Sequence, residues 1–315
     1  KVYNEEKLKI MPLKAKFNIG KIKLELINIS HSILEPNAVF IKAGSFKVFH
    51  TGDWKIDEKP KIGSETDIKR IEELGKEGVL AMVCDSTNAT VHGKSGSEKS
   101  VEKGLNKEFK NSKGRVFVAT FASNLERVLT VANLANNLGK KIGLIGRSMW
   151  RMTEAAKELG YINHHFYSEK EMGKFKRNEF LAICTGSQGE PLGALSRMAD
   201  NKHSHIQFNN GDKVIFSSRI IPGNEKAISK LINKLVNKGV EVILPKKNNI
   251  HVSGHPAIEE LKIMYNLIKP DIAIPVHGEA FHIAAHVKLA QKLKIKHVFN
   301  TSNGLLLKLA PGKPE

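Results

Sequence analysis

The chain of 315 residues carries two cysteines, Cys84 and Cys184, too few for a disulfide framework. It has no run of eighteen apolar residues, so no segment reads as a membrane-spanning helix. No secretory leader pattern opens it. Together these absences predict a protein of the reducing cytoplasm without a membrane partner. Internal repeats, low-complexity tracts and sustained heptads are missing, and so are the P-loop and the dinucleotide-binding glycine pattern. Acidic residues are in deficit: 32 Asp and Glu stand against 50 Lys and Arg, a net charge of +18. Such an excess favours a polyanionic partner such as nucleic acid, through counterion release and long-range steering. The lysines are spread over nearly every expected helix, so the excess also fits plain compositional drift. The chain starts at Lys1 and soon enters strand-like material, which predicts a fragment or processed form of a longer protein.

Hydrophobic residues make up 41% of the chain, enough at this length for a large core in one or two domains. Residues 16 to 31 alternate apolar and polar positions and read as one or two strands. Residues 39–41 and 46–50 predict a hairpin turning at Ala43, Gly44 and Ser45. A helix is expected over 62–78 and a short apolar strand over 79–84. Near residue 96 the pattern changes, with Ser97 a candidate N-cap. Strands (115–120, 142–145, 180–184, 214–218, 240–244) then alternate with helices (125–138, 149–159, 226–238). That is βα alternation with a largely parallel sheet. A final helix of 258–268 leads to a strand of 271–276 and a helix from Ala280.

The densest chemistry lies in HVSGHPAIEELKIMYNLIKPDIAIPVHGE, residues 251–279. His277 follows the last apolar strand, and open α/β sheets bind ligands at strand carboxyl ends. His255 approaches from the loop before the helix. His31, Asp53 and Asp85 also sit at polar strand tips. His31, Asp53 and His277 are ligand types for Zn²⁺ or Mn²⁺, and an aspartate can bridge two metals. Two ions about 3.5–4 Å apart would activate a water for phosphodiester displacement. Read singly, each residue fits a turn or cap equally well. The loops Thr185-Gly-Ser187-Gln-Gly189 and Ser217-Ser218-Arg219 could cradle phosphates, with Arg219 supplying charge, or could simply be tight βα turns. His92, His164, His165, His203 and His205 read as solvent-exposed, and His282 and His286 as helix residues.

Taken in order, SHSILEPNA, FHTGDW, CDSTNA, FASNLERV, CTGSQGEPLGALSRMA, SSRIIPGNE, HVSGHP and PVHGE closely resemble the ribonuclease J family, β-CASP members of the metallo-β-lactamase superfamily. The resemblance runs from about residue 20 to the end. It implies an α/β fold, an αββα metallo-β-lactamase-like core interrupted by a β-CASP domain. The core would be 1–96 and 254–315, and the insertion 97–253. It implies Zn²⁺-dependent hydrolysis of single-stranded RNA, both 5′-to-3′ exonucleolytic and endonucleolytic, with the RNA in a basic crevice and gripped by its phosphates. Two Zn²⁺ per complete site are implied, Mn²⁺ or Mg²⁺ being alternatives, and a homodimer or homotetramer for the full-length enzyme. Carried over by motif, His31 and His277 resemble metal ligands and Asp53 the bridging one. Asp85 resembles the β-CASP acid and His255 its partner, a proton donor to the leaving oxygen. His251, Ser253 and Gly254 would lie near the scissile or 5′-terminal phosphate.

The chain departs from the family in lacking the His-x-His-x-Asp-His motif, which supplies most ligands to both metals. An impaired metal site is therefore expected. A rival reading follows: a truncated or degenerate relative that binds RNA or a protein without cutting. Retention of His31, Asp53, His255 and His277 favours the hydrolase.

Overall fold

A computed structural model describes residues 8–245 and 249–315. Among these, the strands form two sheets. The first begins with a meander of β1 (Lys16–Ile19), β2 (Ile22–Asn28), β3 (Asn37–Ala43) and β4 (Phe46–His50). All three pairings are antiparallel, and β3 turns into β4 at Gly44, where φ is +61°. A helix, α1 (Ile68–Glu77), crosses back to β5 (Ala81–Asp85), which pairs parallel with β4. The sequence predicts helix from residue 62, six residues too early. The reason is local: the Asn28 side chain donates to the carbonyls of Ser64 and Glu65 at 3.1 and 2.7 Å, and Asp67 caps the helix by accepting from Arg70 N.

The second sheet is wholly parallel and follows α2 (Glu98–Lys110). Ser97 holds the N-cap position of α2 without making a side-chain cap. The units are β6 (Val116–Ala119), α3 (Leu125–Asn137), β7 (Lys141–Ile145), α4 (Arg147–Glu158), the short α5 (Glu169–Met172), β8 (Phe180–Cys184), α6 (Ala194–Ala199), β9 (Lys213–Phe216), α7 (Glu225–Val236) and β10 (Glu241–Ile243). Their order across the sheet is β10-β9-β6-β8-β7. Every residue of β6, β8 and β9 is buried, as expected when helices cover both faces. One face packs on α2, α3 and α4 through Val101, Leu105, Val128, Val131 and Met149. The other packs on α6 and α7 through Leu195, Met198, Ile228 and Leu231.

The chain then returns to the first sheet. Helix α8 (Ile258–Ile268) leads to β11 (Ile272–Val276), which pairs parallel with β5 over its full length. Helix α9 (Ala280–Lys292) and β12 (His297–Val298) complete the order β1-β2-β3-β4-β5-β11-β12. Helices α1, α8 and α9 cover one face of this sheet. Contact between α1 and α8 is so close that a Cβ on Gly75 would fall 1.9 Å from the Leu267 carbonyl oxygen. The result is the mixed α/β architecture expected from the sequence. Its first sheet is built from strands on both sides of the second.

Candidate functional site

The loops leaving β2, β4, β5 and β11 converge with the 249–255 segment at one end of the first sheet. All of these but the β4 loop, which carries Asp53, border a cleft of about 750 Å³ together with the loops after β6 and β9 of the second sheet. His31, His251, Ser253, Gly254, His255, His277 and Arg219 line it.

Asp85 ends β5 and is almost fully buried, 1% exposed. Burial alone would raise its pKa. The His255 imidazole, and then the hydroxyl and amide of Thr87, outweigh burial and hold it below the usual carboxylate range. The ionised carboxylate accepts from Thr87 N and Oγ1 at 2.9 and 2.7 Å, and from His255 Nδ1 at 2.7 Å. That last bond fixes the imidazole so that Nε2 is its second nitrogen. Burial pushes His255 down, but Asp85, with help from Asp53, raises it above the ordinary histidine value.

His31 follows β2 and donates from Nδ1 to the Gly254 carbonyl at 2.6 Å. A carbonyl can only accept, so Nδ1 carries the hydrogen and Nε2 keeps its lone pair in the neutral ring. Burial lowers its pKa, favouring that neutral form. This closeness requires glycine: a Cβ on Gly254 would lie 2.7 Å from His31 Cε1 and 2.4 Å from Ser32 Oγ. His277 leaves β11 in the left-handed region, φ +57°, and its carbonyl oxygen lies 3.1 Å from Thr87 Oγ1. Its Nε2 lies 3.5 Å from Asp53 Oδ1. The His255 ring centre is 4.9 Å from that of His31 and 5.4 Å from that of His277.

The sequence reading passed over the buried residue that ties these parts together, Asn88. Its amide donates to Ser253 Oγ at 2.8 Å and to the His255 carbonyl at 2.9 Å, and its oxygen accepts from Arg219 Nη1. It lies inside the CDSTNA motif, but no spacing or charge singles it out. His251 is driven down to about 3 by burial and then by the Arg127 guanidinium, so it is neutral.

Several expected positions lie elsewhere. Ser187 and Ser218 are buried, 2% and 3% exposed, and do not border the cleft. Their loops are fastened internally: Gln188 Nε2 donates to the Arg219 carbonyl at 2.8 Å, and Gln188 Oε1 accepts from Ile221 N at 2.9 Å. His203 is buried rather than solvent-exposed, its Nδ1 accepting from Ile206 N at 3.3 Å. His282 and His286 do lie on a helix, α9, as expected; both are buried, the latter between Ser86 Oγ and Tyr265 Oη at 2.8 and 2.9 Å. Among the described residues that line the cleft, Arg219 is the only Lys or Arg.

The donor set suits a divalent transition metal. Ligand atoms of His31, Asp53 and His255 lie within 4.8 Å of one another, as do those of Asp85, His255 and His277. Imidazole nitrogen and carboxylate oxygen are the ligands Zn²⁺ takes. The bare Nε2 of His31, oriented by a bond from Nδ1 to a backbone carbonyl, is the usual arrangement of a metal-binding histidine. His31, Asp53 and His277 are each of a type the metal takes, and His255 is common to both groups.

Comparison with known proteins bears on the same segments. A family model described as ribonuclease J, beta-CASP domain, matches residues 113–235. A second, a Zn-dependent metallo-hydrolase RNA specificity domain, matches residues 239–299 and includes His251, His255 and His277. The ribonuclease J of Sinorhizobium meliloti is 43% identical over 302 residues, 95% of this chain and 54% of its own length. The chain belongs to the ribonuclease J family. Further ribonuclease J relatives come from Helicobacter pylori (38% identical, 96% of this chain, 45% of that one) and Thermus thermophilus (38%, 82% and 46%). The chain thus spans about half the length of the curated relatives it matches. A crystal structure of an Enterococcus faecalis protein of unknown function shares the fold, with a TM-score of 0.61 at 12% identity over 94% of this chain and 66% of that one.

Proposed function

We propose that the chain carries part of the active site of a metal-dependent ribonuclease that hydrolyses phosphodiesters of single-stranded RNA. In the parent enzyme, both 5′-to-3′ exonucleolytic and endonucleolytic cutting are assigned to this site. Residues 1–96 and 254–315 are taken as the lactamase-like core and 97–253 as the β-CASP insertion. The observation that carries the reading is the His255–Asp85 pair, set beside His31, Asp53 and His277 at one end of the first sheet.

In this reading His31, Asp53 and His277 hold the metal, Zn²⁺ by preference. When bound, it supplies Lewis-acid activation of a water and neutralises charge on the phosphate. Asp85 fixes the His255 tautomer and favours its protonated form, so His255 carries a proton at Nε2 for the leaving oxygen. Arg219 and the Ser253–Gly254 loop flank the phosphate. Neutral His251 acts as a polar wall and not as a charged phosphate contact.

Single-turnover cleavage of a 5′-phosphorylated RNA by the full-length parent enzyme in Zn²⁺ tests the roles. His255→Ala should slow cleavage by roughly 10²–10⁴-fold, with RNA affinity and metal content nearly unchanged. Asp85→Asn should act the same way, and the double variant should cost far less than the product of the singles. His277→Ala should lose metal first. Loss of metal in His255→Ala would make His255 a ligand, and an unchanged rate would leave a binding protein as the better account.

A further inference from the structure

The net charge predicts a cleft that grips phosphates, yet its described lining offers one guanidinium. Beside Ser123, Asn124 and Arg219, the second sheet lines this wall with four apolar residues, Phe121, Ile220, Ile221 and Pro222. Phe121 follows β6, and Ile220 and Ile221 follow β9, the adjacent strand paired in parallel register. They therefore share one rim of that sheet, across the cleft from His31, His255 and His277. Ile220 and Ile221 are 39% and 46% exposed, as is Ile33 on the opposite lip at 44%.

These isoleucines are not loose loop residues. The Gln188 side chain bonds the carbonyl of Arg219 and the amide of Ile221, and its oxygen also accepts from Asn224 Nδ2 at 3.3 Å. Arg219 is tied in turn to Asn88, beneath the His255 loop. The backbone is thus held so that two large apolar side chains stay in solvent at the mouth of a polar site, though burial would stabilise them. Phosphate is a poor occupant for such a wall, whereas unstacked nucleobases present flat apolar faces to it.

Resting on the RNA reading above, we propose that Phe121, Ile220 and Ile221 form a seat for the nucleobases beside the scissile phosphate. The cleft then holds a single strand chiefly by base contact, with Arg219 the one Lys or Arg beside it. Apolar and stacking contacts accept any base, so the seat selects unpaired strands without reading sequence. A duplex, whose base faces are covered by their neighbours, has nothing to offer it.

The test compares a short 5′-phosphorylated oligouridylate with an abasic ribose-phosphate oligomer of equal length and charge, by equilibrium binding to the whole chain. The oligouridylate should bind about tenfold tighter or more, the size of one stacking contact. Its affinity should fall only about threefold between roughly 50 and 200 mM salt, as one phosphate contact requires. The double variant Ile220→Ser, Ile221→Ser should erase the preference and leave abasic binding unchanged. Ile221→Phe should strengthen oligouridylate binding. Both positions are exposed, so folding is not at risk. Equal affinity for the two oligomers, or a preference that survives in the double variant, overturns the seat while leaving the RNA reading standing. If neither oligomer nor a long single-stranded RNA binds, the RNA reading itself fails, and the seat with it.

Discussion

Glu126 shows how the fold sets the chemistry of a single side chain. It lies in the first turn of α3, 5% exposed, with Oε1 accepting from Lys61 N at 2.6 Å. Burial raises its pKa to about 7. Between the ordinary carboxylate value and about 7 the folded state therefore holds a proton that the unfolded chain has released. Stability from this group is fully present below that interval, declines as pH rises through it, and is level above, a loss of up to about 3 kcal/mol. Glu126→Gln keeps the acceptor for Lys61 and removes the titration. Thermal unfolding from about pH 4.5 to 8 should find the variant equal to the wild type in acid and more stable at the alkaline end. A variant less stable at that end would mean that the ionised carboxylate has a use in the fold. Nothing in the sequence marks this residue, since its burial depends on elements far away in the chain. The same limit explains Asn88 and His203, polar residues in polar stretches whose burial is tertiary. His255 and His277 were legible because glycine and strand-end position flag them locally.

At the scale of elements, one buried guanidinium joins four segments. Arg127, fully buried on α3, meets Glu98 of α2 through Nε and Nη2 at 3.0 and 2.7 Å. Its Nη1 donates to the carbonyl of Ser217 at 3.0 Å, just past β9, and to that of Ile250 at 3.2 Å. Ile250 opens the segment that carries His251, Ser253 and His255, so the second sheet sets the start of the loop and Asn88 fixes its end. Arg127→Met should destabilise the fold by about 3–5 kcal/mol, because it strands the Glu98 carboxylate in the interior. Adding Glu98→Leu should restore a good part of that in denaturant unfolding. Hydrogen exchange should nevertheless stay fast at residues 250–255 in the double variant. Slow exchange there would show that Arg127 does not hold the loop. Most element types and their order were readable from the periodicity, since β6 and β8 are continuous apolar runs, but the short α5, α6 and β12 were not. Boundaries failed where side chains intervened, as where Asn28 takes the carbonyls of Ser64 and Glu65 and delays α1.

For the molecule as a whole, the +18 charge is a property of the outer surface more than of the cleft. Composition can count lysines but cannot place them, and the described lining of the cleft holds one Lys or Arg, Arg219. A long single-stranded RNA that drapes over the surface should lose affinity steeply with salt, on the order of 10²-fold between roughly 50 and 200 mM for about six phosphate contacts. A similarly shallow dependence for long and short RNA would confine binding to the cleft.

The parallel pairing of β5 with β11 has a consequence in time. Residues 85 and 276 are neighbours in the first sheet, but a ribosome making about 5–20 residues per second needs on the order of 10–40 s to go from one to the other. In that interval the second sheet, whose strands all lie between residues 116 and 243, can close on itself. The meander of β1 to β5 meanwhile waits with one edge unpaired, the kind of edge that recruits wrong partners. The helix that docks against Gly75 and the strand that delivers His277 arrive together, so the cluster of His31, Asp85, His255 and His277 cannot form until residue 277 has been made. Whatever chemistry it performs is withheld from the growing chain until β11 has paired with β5.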